Sequence, residues 1–254
     1  NVVQASVEKN SREILITNVT RQSEHLSTIL NINYSYLNVM AQDLADTDDL
    51  FSSKNLMQIQ ILMNNTDFDR MAIIDPEGNA LYDNEVIKNV AHRRYFQESM
   101  QGKQSLSNPL ESSVDQQTRV ILSVPIYKNN QVIGVFGGSY NVTKLGNMLF
   151  DDLFDGQGKC FIVDKDGNLI TRDNPFAKKY KIQSVNNLFD FCKQKKLKKD
   201  FKNQVSDLIQ IQTRNSDLLY LAYSPLNIND WMISYAVDKQ VAQESYIFIK
   251  HYET

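Results

Sequence analysis

Between about Asn10 and Ala45 the chain contains neither proline nor glycine, and Leu15, Val19, Leu26, Leu30, Leu37, Met40 and Leu44 recur at spacings of three, four or seven. Such a stripe predicts one amphipathic helix. At 1.5 Å per residue it would be about 50 Å long. The polar run Asp46–Asp49 ends it. The stripe is narrow and interrupted by Gln22 and Asn33, so self-association of the isolated chain should be weak, and a helix this long with one stripe must lie along something. The candidates are a second copy of itself, as a coiled coil, or the faces of folded modules in the same chain.

Beyond the helix the pattern changes to short strands. Met71–Asp75 reads as a buried strand, Pro76-Glu77-Gly78-Asn79 as a turn with glycine where positive φ is wanted, and Ala80–Tyr82 as the returning strand. The same unit recurs as Phe161–Asp164, Lys165-Asp166-Gly167-Asn168 and Leu169–Thr171, 89 residues later. A second pair of segments matches as well. Thr118–Ile126 ends at Pro125 and is followed by Gln131–Val142. Leu218–Leu226 ends at Pro225 and is followed, after the turn Asn227–Asp230, by Trp231–Val237. Two copies at an offset of 90–100 residues indicate a domain duplication rather than a solenoid. Antiparallel hairpins with helical inserts predict an α+β fold: a long N-terminal helix and two modules, each with a central antiparallel sheet. The expected boundaries are 1–48 for the helix, 49–150 and 151–240 for the modules, and 241–254 for a C-terminal helix. The connector is read at Phe150–Gly158.

Strand parity points to a candidate pocket. In Arg119–Tyr127 the even positions Val120, Leu122, Val124 and Ile126 are apolar, whereas the odd ones include Arg119, Ser123 and Tyr127. Side chains alternate between faces. One face should therefore pack on the long helix, and the other should turn Ser123 towards a more polar space. On the next strand Val135, Gly137 and Ser139 share a face and leave room. In the second module Trp231, Ile233 and Tyr235 alternate and would fill a cavity, and the lysine-rich insert reads as flexible. A ligand is therefore expected in the first module.

Composition narrows the function classes. The 254 residues are 42% hydrophobic and 22% charged, with a net charge of −3, as in ordinary globular proteins. The balance gives no general attraction for nucleic acid. No apolar run reaches the roughly 18–20 residues of a membrane span. The start at Asn1 rather than Met reads as a segment of a longer protein. Cys160 and Cys192 are too few for a disulfide scaffold; a single bridge or two buried thiols both remain open. His25, His92 and His251 are scattered, so no metal site and no cofactor are expected.

Catalytic motifs are weak throughout. Asp151, Asp152 and Asp155 with Asp164 and Asp166 lack the calcium-loop pattern and read as connector and turn residues. Ser105, Ser107, Ser112 and Ser113 lack a GxSxG elbow. Gly134, Gly137 and Gly138 lie within a strand pattern and read as a bulge or a close approach to a ligand rather than a phosphate loop. The lysines at 193, 195, 196, 198, 199 and 202 read as a solvated face, with a polyanion-binding patch as the alternative. The richest segment is His92–Phe96. There Arg93 and Arg94 beside Tyr95 and Phe96 offer a guanidinium fork against aromatic walls, suited to a small carboxylate. The alternative is a surface arginine pair with two core aromatics.

The ordered set of the long helix, IIDPEGN, Arg93-Arg94-Tyr95-Phe96, Gly102-Lys103, Ser107-Asn108-Pro109, Val124-Pro125-Ile126 and Ile133-Gly134-Val135 resembles the membrane-distal module of double-Cache sensor domains. The half from Gly158 through FIVDKDGNLIT to Trp231 is similar to their membrane-proximal, PAS-like module. The resemblance covers essentially the whole chain. It implies the extracytoplasmic part of a membrane-embedded bacterial receptor, reporting to a histidine kinase, a chemoreceptor tail or a diguanylate cyclase and homodimeric in the full-length receptor. It also implies a pocket in the first module formed by Arg93, Tyr95, Phe96, Tyr82, Ser123, Tyr127, Gly137 and Ser139, with Arg93 as anchor. Amino-acid-binding members carry R-x-W-Y, a loop tyrosine and aspartate, and a strand aspartate. Here Leu110, Ser112 and Ser139 stand at the last three places. The missing strand aspartate removes the ammonium partner and favours a short carboxylate over an α-amino acid.

Three functions compete on the sequence. The first is a non-enzymatic small-molecule sensor domain. The second is a protein-interaction domain with a vestigial pocket. The third is an enzyme such as a hydrolase.

Overall fold

The computed structural model describes residues 2–150, 153–171, 187–212 and 217–252. Asp151 and Asp152 of the acidic cluster lie outside them. The chain forms two compact units: Thr28–Lys144, and Asn1–Ser27 together with Leu145–Thr254.

The predicted helix is present as α1, Val2–Ala45. Its stripe is fully buried at Leu15, Val19, Leu26, Leu30, Leu37 and Leu44, within the chain's own units. Gln22 is buried rather than an interruption. Its amide donates to the Phe150 carbonyl at 2.6 Å and accepts from the Phe150 N–H at 2.9 Å. The stripe therefore packs on the chain itself, and the coiled-coil alternative for these positions falls away. After the corner comes α2, Ser53–Asn64, capped by Ser52.

In the unit Thr28–Lys144 the elements run β1 (Arg70–Ile74), β2 (Asn79–Tyr82), β3 (Ile87–Asn89), α3 (Arg94–Met100), β4 (Ser105–Leu106), β5 (Leu110–Glu111), β6 (Thr118–Lys128), β7 (Gln131–Asn141) and α4 (Val142–Gly146). The antiparallel sheet has the order β3-β2-β1-β7-β6-β4, with β5 also pairing with β6. Asn129 and Asn130, both at positive φ, make the tight β6–β7 turn. On one face Val120, Leu122, Val124, Ile126, Phe136 and Tyr140 are fully buried. Asn33 of α1 lies beside the Tyr140 hydroxyl on that side. The other face is partly covered by α3.

The second unit contains β8 (Lys159–Val163), α5 (Leu188–Cys192), α6 (Lys195–Lys202), β9 (Asp207–Gln212), β10 (Leu218–Pro225), β11 (Met232–Asp238) and α7 (Lys239–Tyr252). Its sheet order is β8-β11-β10-β9. One expectation fails: Leu169–Thr171 forms no strand, and only a single bridge, Val163 to Leu169, marks the expected hairpin.

The duplication holds at the level of atoms. The Asp75 carboxylate accepts the N–H groups of Glu77 and Asn79 at 3.0 and 2.8 Å and the Asn79 amide at 2.9 Å. The Asp164 carboxylate accepts those of Asp166 and Asn168 at 2.9 and 2.8 Å and the Asn168 amide at 3.0 Å. Gly78 and Gly167 take φ of 85° and 88°, which side-chain-bearing residues resist. A further pair was not legible in the sequence. Asn89 donates to Glu77 O and Asn79 Oδ1, and Asn187 donates to Asp166 O and Asn168 Oδ1. Their spacing differs from the 89-residue offset because the second module carries a longer insert.

Candidate ligand-binding site

The floor of the site is the α3-side face of the first sheet. Pairing sets Arg70 opposite Ser139, Ala72 opposite both Tyr82 and Gly137, and Ile121 opposite Ser139. These residues border an open concavity of about 530 Å³, counting the solvent at its mouth. Gly137 keeps the floor low. A methyl group there would meet Leu122 O at 3.3 Å, a tight contact, and the side chains of Ile121 and Ser123 at 3.6 and 3.9 Å, so a larger residue would take up space at the floor. The remaining wall comes from Tyr95, at the first turn of α3, and from Leu110–Ser113 around β5.

Of the residues expected in the pocket, Tyr82, Arg93, Tyr95, Gly137 and Ser139 line the cavity, and Phe96, Ser123 and Tyr127 do not. Phe96 is one residue further round α3 and packs with Ala80, Val90 and Val135. Ser123 does lie on the predicted face, yet α3 sits on it. Its hydroxyl bonds Ser99 Oγ at 2.8 Å and the Tyr95 carbonyl at 3.3 Å, fully buried. Tyr127 is six residues beyond Ile121, roughly 20 Å along the strand, where its hydroxyl reaches the Gly102 carbonyl. Leu110 and Ser112, marked in the sequence only as departures, are both on the wall.

Two further arginines of the wall were not among the residues expected in the pocket. Arg119 was visible through its odd position on β6. Arg70 comes opposite Ser139 only through pairing of distant strands. Arg119 is 5% exposed and holds Asp115 through both terminal nitrogens, with a further bond to Gln117. Hydrogen bonding from Arg119 is the main reason the Asp115 carboxyl lies well below the usual carboxylate range. Arg70 pairs with Asp83 at 3.0 Å, and the same carboxylate caps the Met71 N–H at 3.0 Å. Both charges are thus matched inside the protein.

Arg93 differs from them. It occupies the N-cap position of α3 without a side-chain cap. Its Nη2 donates to the Glu111 carbonyl at 3.1 Å, a neutral acceptor, and no carboxylate among the described residues pairs with it. Tyr95 beside it is buried, which raises its phenol well above the usual value; Tyr82 adds to the rise and Arg93 opposes it. The phenol therefore stays protonated at physiological pH. Tyr82 contacts Ser113 Oγ at 3.3 Å. Among the wall residues Glu111 is the one carboxylate. The arrangement offers one uncompensated guanidinium, hydroxyls at Tyr82, Tyr95, Ser112, Ser113 and Ser139, and an apolar floor.

Among the described residues, the equivalent face of the second module is covered. Phe161, Leu219, Leu221, Tyr223 and Met232 of its sheet pack against Leu188, Leu197 and Phe201 of α5 and α6. The expected filler Tyr235 instead lies on the opposite face, with Leu15 and Val19 of α1. The lysine-rich stretch forms the packed helix Lys195–Lys202 rather than a flexible loop: Leu197 and Phe201 are buried, and Lys196 pairs with Asp200 and Asp207. Cys160 belongs to the α1 side of this sheet and Cys192 to the α6 side. Neither is in a disulfide. No metal-binding cluster of three or more His, Cys, Asp or Glu exists among the described residues.

Solved structures share this architecture. The ligand-binding domain of the Pseudomonas aeruginosa amino acid chemoreceptor PctB in complex with L-Arg matches at 17% identity and a TM-score of 0.71, covering 92% of this chain and 97% of that one. The ligand-binding domain of the Pseudomonas fluorescens chemoreceptor CtaA with L-leucine matches at 16% identity and a TM-score of 0.72, covering 94% and 99%. That of Campylobacter jejuni chemoreceptor Tlp3 with L-norvaline matches at 13% identity and a TM-score of 0.70, covering 93% and 94%. No curated relative matches the chain at significant similarity. The sequence model described as a Cache domain matches residues 1–246.

Proposed function

The chain belongs to the Cache domain family, and from that membership we propose that it is the extracytoplasmic small-molecule sensor of a membrane-embedded signalling receptor. No helix among the described residues is long and apolar enough to cross a membrane. The ligand sits in the first module, and its carboxylate is held by Arg93. The observation that carries this reading is the guanidinium at the mouth of an open cavity whose strongest partner is a neutral carbonyl. Binding a carboxylate there replaces one neutral acceptor by a charged, bidentate one, worth roughly 1.5–3 kcal/mol.

The structural neighbours hold amino acids, which supports a second reading in which the ligand is an α-amino acid. Its ammonium group would then need a carboxylate. Asp83 and Asp115 are already paired with arginines, and Ser139 stands on the strand floor. Glu111 alone is left for that role. An uncharged tail over Ala72, Ile74 and Ile121 fits the wall better, so a short carboxylate without an α-ammonium is the preferred class.

A thermal-shift screen of short carboxylates against α-amino acids tests the choice. A ligand at 100 times its Kd adds about 2.7 kcal/mol, a shift of several degrees. Calorimetry of Arg93→Ala should then show 10- to 100-fold weaker binding. Arg94→Ala is the control, since Arg94 is exposed and bonded to Glu98. Selective stabilisation by amino acids would establish the second reading. Binding that survives Arg93→Ala would refute the anchor. No stabilisation by any small molecule would favour a protein-interaction domain.

A further inference from the structure

The cavity of the first module makes no use of the lysines of α6, and that helix is built against its own local electrostatics. Six lysines and one aspartate occur from Lys193 to Lys202, in a chain whose net charge is −3. At about 100° per residue, Lys195, Lys198, Lys199 and Lys202 fall within an arc of roughly 100°, and Leu197, Asp200 and Phe201 fall within a like arc on the opposite side. The second arc is buried and the first is exposed. Asp200, the one acidic residue of the helix, faces inward, where it accepts the Tyr223 hydroxyl at 2.5 Å.

Helix stability does not explain this face. Lys195 and Lys196 stand in the first turn, where the helix dipole disfavours cations, and no acidic residue accompanies them there. Lys195 and Lys199, like Lys198 and Lys202, are equal charges four residues apart, which weakens a helix. Only Lys199 and Lys202, in the last turn, suit the dipole. Lys196 is held by Asp200 and Asp207, and Lys198 lies 5.6 Å from the centre of the Phe189 ring. Lys193, Lys195, Lys199 and Lys202 pair with no carboxylate among the described residues. Packing of Leu197 and Phe201 thus holds an exposed row of cations in place and leaves their counter-charge to come from outside.

We propose that this face of α6, Lys195, Lys198, Lys199 and Lys202 with Lys193 ahead of it, binds an extended polyanion that carries phosphate groups along its length. The row runs about 10 Å, seven residues at 1.5 Å each, over a convex surface. A single phosphate meets one or two of these ammonium groups, whereas a chain of phosphates meets all of them. Lysine presents a point charge without the planar fork of arginine, which suits a polymer held through its charge in any register. A lipid surface fits less well. The apolar side of α6 is turned into the protein, so the lysine row has no apolar residue of its own helix to insert among acyl chains.

The test is calorimetry of the 254-residue chain with long-chain inorganic polyphosphate. About four contacts, at roughly 0.7 per phosphate of a flexible strand, give a salt slope near −3, so binding should weaken roughly 50-fold between about 50 and 200 mM salt. Lys195→Gln with Lys199→Gln and Lys202→Gln should weaken it at least about tenfold. Circular dichroism should be unchanged, because all three side chains are exposed. Arginine at the same three positions should retain binding, since the charge is kept. Lys54→Gln with Lys88→Gln and Lys103→Gln removes three exposed charges from the other unit and should change binding less than about twofold. Absence of polyphosphate binding at about 50 mM salt would overturn the proposal. So would equal loss in the two glutamine triples, or competition by orthophosphate as effective as polyphosphate at the same total phosphate. Capture of phosphatidylcholine–phosphatidylglycerol vesicles by the lysine row, with polyphosphate left free, would overturn it in favour of a lipid surface. Each of these readings is independent of what the cavity of the first module holds.

Discussion

The two modules repeat one design and differ on one face. Each has an Asp–x–x–Gly–Asn turn followed by an asparagine that ties the next segment back to it, and each has a four-strand antiparallel core. After Asn89 the first module continues through Val90 and Ala91 to Arg93 and a short helix that covers only part of the sheet. After Asn187 the second continues with Leu188 and Phe189 into two helices, whose Leu197 and Phe201 cover it. The sheet floors follow suit: Ala72, Gly137 and Ser139 in one, Leu221, Tyr223 and Met232 in the other. A repeated scaffold thus says little about where a cavity lies. The size of a few floor residues and the length of the insert decide it.

The difference can be broken from either side. Removing the plug should have the largest effect. Phe201→Ala deletes a fully buried ring packed edge-on against Phe189 and Tyr223 and should cost about 3–5 kcal/mol, read as a lowered urea midpoint. A cost under about 1 kcal/mol would mean that the second face is loosely filled after all. Filling the open side is the converse. Gly137 has an ordinary strand conformation, but a Cβ there meets the Leu122 carbonyl at 3.3 Å, so Gly137→Val should cost about 1–3 kcal/mol of stability. It should also weaken the ligand found for the first module more than about 100-fold, or about 2.7 kcal/mol. Retained binding would place the ligand elsewhere.

A smaller effect concerns the wall. The Asp115 carboxyl is depressed by Arg119, so its contribution to stability is complete above the unfolded carboxylate value near 4 and is lost as pH falls towards the folded value. Asp115→Asn should be less stable than wild type by about 2 kcal/mol at pH 7, and the gap should narrow between pH 5 and 3. A gap independent of pH would show that the carboxylate's charge is not what holds Arg119. The smallest effect is chemical. Burial pushes the Cys192 thiol up to about 12, so at pH 8 a thiol reagent should label Cys160 first and Cys192 only on unfolding. Equal labelling would mean that the filled face opens readily.

Periodicity alone was enough for α1, for the strands around Ile73, Leu122, Val135, Phe161, Leu221 and Ile233, and for the duplication, because each depends on local spacing and on turn residues that act over four or five positions. Arg93, Tyr95 and Gly137 came together in one candidate site only through the family resemblance, since on the residues alone Arg93–Phe96 read equally as a surface arginine pair with two core aromatics. Strand parity correctly put Ser123 on the cavity face but could not show that α3 rests on it. Parity reports direction, whereas coverage depends on where a helix distant in sequence comes to lie. Arg70 joins the wall only because β1 pairs with β7 in one register. The charges of Arg70 and Arg119 are cancelled only because Asp83 and Asp115 fold beside them.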